Sequence, residues 1–194
     1  MTHKISFSLA MALAAAVLPA GAAFAQAPAA SAATQSEDAR LTAFLDAEFD
    51  AYLKTQPQLA TRLGLKDGGD RWNDTSDESA RADVEWRKAS VARMKAQFDR
   101  AKLAPEAQVN FDIWALEADR AELSYKNRLY RPPFYSRLYS AHSQLPDFLI
   151  NTHSVADATD LKNYIARLRR MPAVLDRAIE RTKASQAAGI NPPL

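Results

Sequence analysis

Residues 37–55 read EDARLTAFLDAEFDAYLKT, and their spacing sets the fold class. Leu41, Phe44, Leu45, Glu48, Phe49, Tyr52 and Leu53 recur at intervals of three and four, which is the stripe of an amphipathic helix. The stripe stops before Pro57, and a short helical turn over Gln58–Leu63 is expected to follow, closed by Gly64. In Lys66-Asp67-Gly68-Gly69-Asp70 the paired glycines and short polar side chains oppose regular structure, so this is a loop. Trp72, inside it, is expected to dock onto the helices.

The same period recurs downstream. Thr75-Ser76-Asp77-Glu78 fits a capped helix start with acids in the first turn, and the helix is expected to run to about Lys102. Val84, Val91 and Phe98 repeat every seven residues with Met94 between them, a pattern that packs along a neighbouring helix. Pro105 suits the first turn of a third helix reaching Tyr125 or Arg128. Its main stripe is Val109, Ile113, Leu116 and Leu123, with Phe111, Trp114 and Tyr125 pointing elsewhere, so this helix is assigned to the centre of the core. Periodicity is lost from Tyr130 to Ser154, where Arg131-Pro132-Pro133-Phe134-Tyr135 is extended by its prolines and Pro146 interrupts again. A last helix begins with Asp157 as N-cap and carries Leu161, Tyr164, Ile165, Leu168, Leu175 and Ile179 at helical spacing. Pro172 inside it predicts a kink or break near Arg170 or Met171, and Gly189 ends it. No useful stretch alternates with a period of two. The fold class is therefore all-α, an irregular helical bundle with long loops, read as an incomplete part of a larger helical protein.

The chain has 194 residues, 47% hydrophobic and 25% charged, a globular composition. Cysteine is absent, which removes disulfides, thiolate metal sites and cysteine nucleophiles together. None of the five glycines forms a phosphate-binding loop motif. At the N-terminus, Lys4 precedes the apolar run Ile5–Leu18, and Ala23-Phe24-Ala25 suits signal peptidase. Residues 1–25 are read as a cleaved signal peptide. A membrane anchor needs about 20 continuous apolar residues, more than this run supplies before Pro19. Gln26–Gln35 reads as a flexible leader, and residues 36–194 as the helical domain. The expected location is periplasmic or secreted, with no membrane association after cleavage.

Removing residues 1–25 takes away Lys4 and no acid, leaving 24 basic and 23 acidic residues, a net charge of +1. Basic residues are interleaved with acids along the helices, as on solvated faces, so nucleic acid is not an expected partner.

Few residues carry candidate chemistry. The histidines are His3, His142 and His153. His153 and Asp157 are expected to straddle a helix start, and His142 and Asp147 are separated by Pro146; two ligands are too few for a structural zinc site. Asp112, Glu117, Asp119 and Glu122 share one predicted helix, where acids ordinarily populate the wet face. Arg131, Tyr135, Arg137, Tyr139 and His142 place aromatic rings beside cationic groups on an irregular segment, the makeup of a substrate-contact surface. Aromatics after a diproline equally staple a loop to a core, and both readings stand.

The order of features carries a family resemblance. LDAEFDAYLKTQPQLATRLGL, then RWNDTSDES, then NFDIWALEADRAEL, then DLKNYIARLRRMPAVLDRAIERTKASQAAGINPP resembles, from about Ala43 onward, the N-terminal half of a bacterial family known as domain of unknown function 885. The matching features are Pro57-x-x-Ala60-Thr61-x-x-Gly64, Trp72-x-Asp74-x-Ser76, Tyr164-x-x-Arg167-Leu168 ahead of Pro172, and Gly189-Ile190-x-Pro192. The resemblance implies an exported, helical, zinc-metallopeptidase-like hydrolase of greater length, with an HExxH helix in its later half. No HExxH occurs in these residues. No catalytic or metal role therefore transfers to this chain, no cofactor is expected in it, and zinc is expected only in the family's C-terminal half. The end just after Pro192-Pro193 suggests a truncated reading frame or a partial gene model. The expected function is an inactive helical scaffold of such a hydrolase, with a peptide substrate or protein partner. The alternative is a free-standing periplasmic helical module that binds a protein or peptide.

Overall fold

The computed structural model describes residues 36–134 and 139–191. Six α-helices carry the fold: α1 Glu37–Leu53, α2 Pro57–Arg62, α3 Asp77–Gln97, α4 Pro105–Lys126, α5 Ala141–Asn151 and α6 Ala158–Ala187. Two short 3-10 turns, Arg100–Lys102 and Arg128–Tyr130, follow α3 and α4. No described residue lies in a strand, so the chain is all-α. The predicted signal peptide and leader, residues 1–35, lie outside the described residues.

Local chemistry fixes the helix starts. The side chains of Ser36 and Ser76 each accept one hydrogen bond from the first turn of α1 and α3, and that of Asp157 accepts two from the first turn of α6. These bonds satisfy amides that have no intrahelical partner. Pro57 and Pro105 occupy the first positions of α2 and α4, where a missing N–H costs nothing. At the other end, Gly189 adopts φ 76°, while its amide donates to Gln186 and that of Ile190 to Ser185. This closes α6 with a left-handed cap that a side chain would strain.

Packing forms two apolar clusters. In one, Leu41 from α1, Met94 from α3, the following Phe98, Leu103, and Ala107 and Phe111 from α4 are buried together. In the other, Trp72 joins Leu145, Phe148 and Leu149 of α5, with Tyr164, Met171, Val174 and Leu175 of α6 packed against them. The docking expected of Trp72 is observed: its ring lies 5.5 Å from that of Phe148, and its Nε1 donates to the Arg167 carbonyl at 2.9 Å.

Three expectations are corrected and a fourth is narrowed. Helix α3 ends at Gln97, short of Lys102, because Phe98 turns extended and is buried. The stretch read as wholly irregular contains α5, despite Pro146. Burial of Leu145, Phe148 and Leu149 there outweighs one lost backbone hydrogen bond, and the Ala141 amide donates to the Pro133 carbonyl at 2.9 Å, tying the helix start to the diproline. Helix α6 runs through Pro172 without the break that was one of the two expected outcomes. Finally, the stripe assigned to the core on α4 faces water: Val109 is 55% exposed and Leu123 62%. The buried side is Ala107, Phe111 and Ala118, with Trp114 donating through Nε1 to the fully buried Ser90 of α3 at 2.9 Å. Small alanines let α4 approach α3 closely, and the aromatic rings fill the remaining space. The aliphatic stripe is left outside.

Candidate functional site

Arg167 sits on the buried face of α6 with none of its side chain exposed. A fully buried guanidinium is uncommon and must have its donors met. Its Nε donates to the Arg71 carbonyl at 2.8 Å, and one terminal nitrogen to His153 Nδ1 at 2.8 Å. The other terminal nitrogen reaches Thr61 Oγ1 at 2.9 Å and the carbonyls of Pro57 and Gly68 at 3.2 and 3.3 Å. The charge also lies over the Phe148 and Trp72 rings, 5.1 and 5.8 Å from their centroids. One side chain thus draws α2, the following loop and the α5–α6 connection onto α6. Gly68 permits this with φ 68°; a Cβ there would meet Arg71 and Pro57 at 2.9 and 3.0 Å.

No carboxylate hydrogen-bonds to Arg167 among the described residues, and its acceptors are all neutral. Burial lowers its pKa to about 10, so it stays charged at neutral pH. With every nitrogen engaged, Arg167 organises the loop and has no role as an acid or base. His153 is buried beside it, meeting the Tyr164 ring edge-on at 5.4 Å. Burial first, and the neighbouring guanidinium second, push the His153 pKa below its ordinary value.

A small cleft of about 50 Å³ adjoins this hub, lined by Thr61, Lys66, Gly69, His153, Asp160 and Asn163. Lys66 Nζ bridges Asp157 and Asp160 at 3.2 and 2.9 Å, and Asp160 also accepts from the Ala156 amide at 3.0 Å. These hydrogen bonds hold the Asp160 carboxyl below the usual range, Lys66 being the larger cause. The volume suits one or two waters.

The predicted contact residues are not gathered there. Arg131, Tyr139 and His142 are exposed near the start of α5, where the His142 ring stacks on Phe134 at 5.9 Å. Tyr135 and Arg137 lie outside the described residues. Three of the four candidate acids of α4 are paired, Asp112 with Arg100 at 2.6 Å, Glu117 with Arg120 at 2.9 Å, and Glu122 with Lys88 and Lys126 at 3.1 and 3.2 Å, and Asp119 is exposed. Asp147 accepts from Asn151 at 2.7 Å. The hub residues Arg167, Thr61 and Lys66 were not singled out from the sequence as a site. The signal available was the shared Tyr164-x-x-Arg167 spacing, an arginine on the same helical face as buried apolar residues.

Zinc does not fit these residues. Among the described residues no three His, Asp or Glu side chains stand together to hold a metal ion. At His153 the Nδ1 position faces a guanidinium, which repels a dication, and Asp157 and Asp160 are both paired with Lys66. Among the described residues, no helix is long and apolar enough to cross a membrane.

Outside the hub, α6 repeats the pattern of α4. Leu161, Ile165, Leu168 and Ile179, which stand at helical spacing, are 49%, 37%, 50% and 41% exposed. The helix instead buries Asp160, Arg167, Ala178 and Ser185.

An all-α protein with a buried arginine hub and two uncovered aliphatic stripes is the class these observations define. The family model described as "Bacterial protein of unknown function (DUF885)" matches residues 57–194, and the chain belongs to that family. No curated protein and no solved structure matches the chain.

Proposed function

We propose that this chain is the N-terminal helical scaffold of an exported, metallopeptidase-like hydrolase. In this reading it supplies one wall of a substrate cleft, while the HExxH helix and its zinc belong to a part of the protein beyond these residues. The periplasm or the exterior is its place, following removal of residues 1–25. The observation that carries the reading is the pair of aliphatic stripes on α4 and α6, which stand in water although each helix has a complete buried face on its other side. Stripes of this length ordinarily meet another protein surface.

The test is hydrolysis of peptide substrates by the purified chain. No turnover is expected, with or without added zinc. Turnover that disappears with a chelator would overturn the reading, because the chemistry would then lie within these residues.

A second reading is a free-standing periplasmic module that binds a protein or peptide through the same stripes. It is favoured by the completeness of the interior: among the described residues, no buried side-chain nitrogen or oxygen lacks a hydrogen-bond partner. A monodisperse product with one cooperative melt supports this alternative, whereas aggregation or ready proteolysis supports the scaffold.

A further inference from the structure

An arginine side chain has hydrogen-bond donors and no acceptor, so the 2.8 Å contact between Arg167 and His153 Nδ1 requires a lone pair on that nitrogen. His153 is therefore the neutral imidazole with its proton on Nε2. The same guanidinium holds Pro57, Thr61, Gly68 and Arg71. We propose that the His153–Arg167 contact is an acid-released latch: a proton at Nδ1 removes the acceptor, opposes two cations, and frees the α5–α6 connection, residues 152–157, from Arg167.

The charged and titratable surroundings decide whether a proton at His153 is resisted. From α6, Arg167 and Tyr164 touch the ring and Asp160 shares its cleft; from the loop, Lys66 lines that cleft; from α2, Arg62 lies over Phe148. Asp157 caps α6 and pairs with Lys66, and Asp70 is held by Arg170 at 2.6 Å. Asp160 alone favours a charged ring, first through a backbone hydrogen bond and then through its carboxylate, whose Oδ2 is shared between Lys66 Nζ and the Ala156 amide; burial and the guanidinium outweigh both. The folded state therefore prefers the neutral ring more than the unfolded chain does. The sign follows from that preference. The latch contributes fully above the ordinary histidine value of 6.5 and weakens as pH falls below it. Asp70, Asp157 and Asp160 are all held below the usual carboxylate range, so they keep their charge while the histidine titrates.

Hydrogen exchange of the full chain between roughly pH 7.5 and 5, expressed as protection factors, reads the latch. Protection over residues 152–157 is expected to fall by about tenfold, the scale of one lost hydrogen bond to a charged group, while α4 is unchanged. In His153→Gln the amide oxygen still presents an acceptor to the guanidinium and nothing titrates, so the fall is abolished. A flat response in the wild-type chain, or an equal fall in the variant, overturns the proposal. Should the variant not fold, the imidazole nitrogen spectrum of the wild-type chain decides. Protonation of His153 below its ordinary value, in step with the 152–157 amides, supports the latch. Protonation at or above that value, or without change in those amides, rejects it.

Discussion

Arg167 donates to five acceptors contributed by residues 57, 61, 68, 71 and 153; without the guanidinium the Arg71 carbonyl and His153 Nδ1 lose this donor, while the Pro57 and Gly68 carbonyls keep bonds from Thr61 and from the Arg71 amide. Neutral hydrogen bonds each contribute little, yet an unsatisfied buried group costs its full desolvation. Arg167→Ala is therefore expected to lose about 2–4 kcal/mol of unfolding free energy, from the lost charge-assisted hydrogen bonds and the acceptors left without a donor. Arg167→Lys should recover only a small part, since an ammonium cannot span the fork that reaches Arg71, His153 and Thr61 together. Denaturant titration followed by tryptophan fluorescence measures both, and a loss below about 1 kcal/mol for the alanine variant would show the hub to be dispensable. This residue also marks where sequence reading stopped. Its spacing from Tyr164 was visible, but nothing in one sequence distinguishes a buried arginine from the many solvated ones on α6. His153 was seen beside Asp157 as a pair straddling a helix start, and the structure keeps them there. The partner that gives His153 its character lies fourteen residues away and is brought near by α6.

Element boundaries were legible where caps and prolines state them. Ser76 and Asp157 cap α3 and α6 as expected, Pro105 opens α4, and the heptad-spaced Val84, Val91 and Phe98 are buried with Met94. Which side of α4 is inside was not legible, because both sides are apolar and only the partner helix chooses. The choice predicts unequal responses on one helix. Phe111→Ala empties the buried side and should cost about 3–5 kcal/mol. Ile113→Glu, at a side chain 52% exposed, should change stability by less than about 0.5 kcal/mol. Reversed magnitudes in chemical denaturation would restore the aliphatic stripe to the core. Helix α6 offers a third contrast. Pro172 removes the amide that would bond to Leu168, a cost of about 3 kcal/mol in a helix interior, offset by up to about 1 kcal/mol from a stiffer unfolded chain. The helix persists because Arg167, Met171, Val174, Leu175 and Ala178 hold it from both sides of the proline. Pro172→Ala should therefore raise the unfolding midpoint, by about 2 kcal/mol in free energy. A lower midpoint would mean that the packing of α5 on α6 depends on the geometry the proline imposes.

At the scale of the molecule, the two exposed stripes and the charge balance act together. The full sequence carries a net charge of only +2, so long-range repulsion does little to keep copies apart. Val109, Ile113, Leu116 and Leu123 on α4, with Leu161, Ile165 and Leu168 on α6, meanwhile offer apolar area to any surface that meets them. The chain alone is expected to associate as its concentration rises from roughly micromolar to hundreds of micromolar, in sedimentation velocity at moderate salt. Because the driving term is apolar, added salt should strengthen the association rather than screen it. Leu116→Glu combined with Leu168→Glu should return the chain to a monomer with an unfolding midpoint within about 0.5 kcal/mol of the parent, since both side chains already stand in water. That combination separates an uncovered interface from partial unfolding: charge placed on a face that the fold needs would lower the midpoint and worsen association. A wild-type chain that stays monomeric across the range would leave the stripes as tolerated surface, and the scaffold reading would lose the observation that carries it.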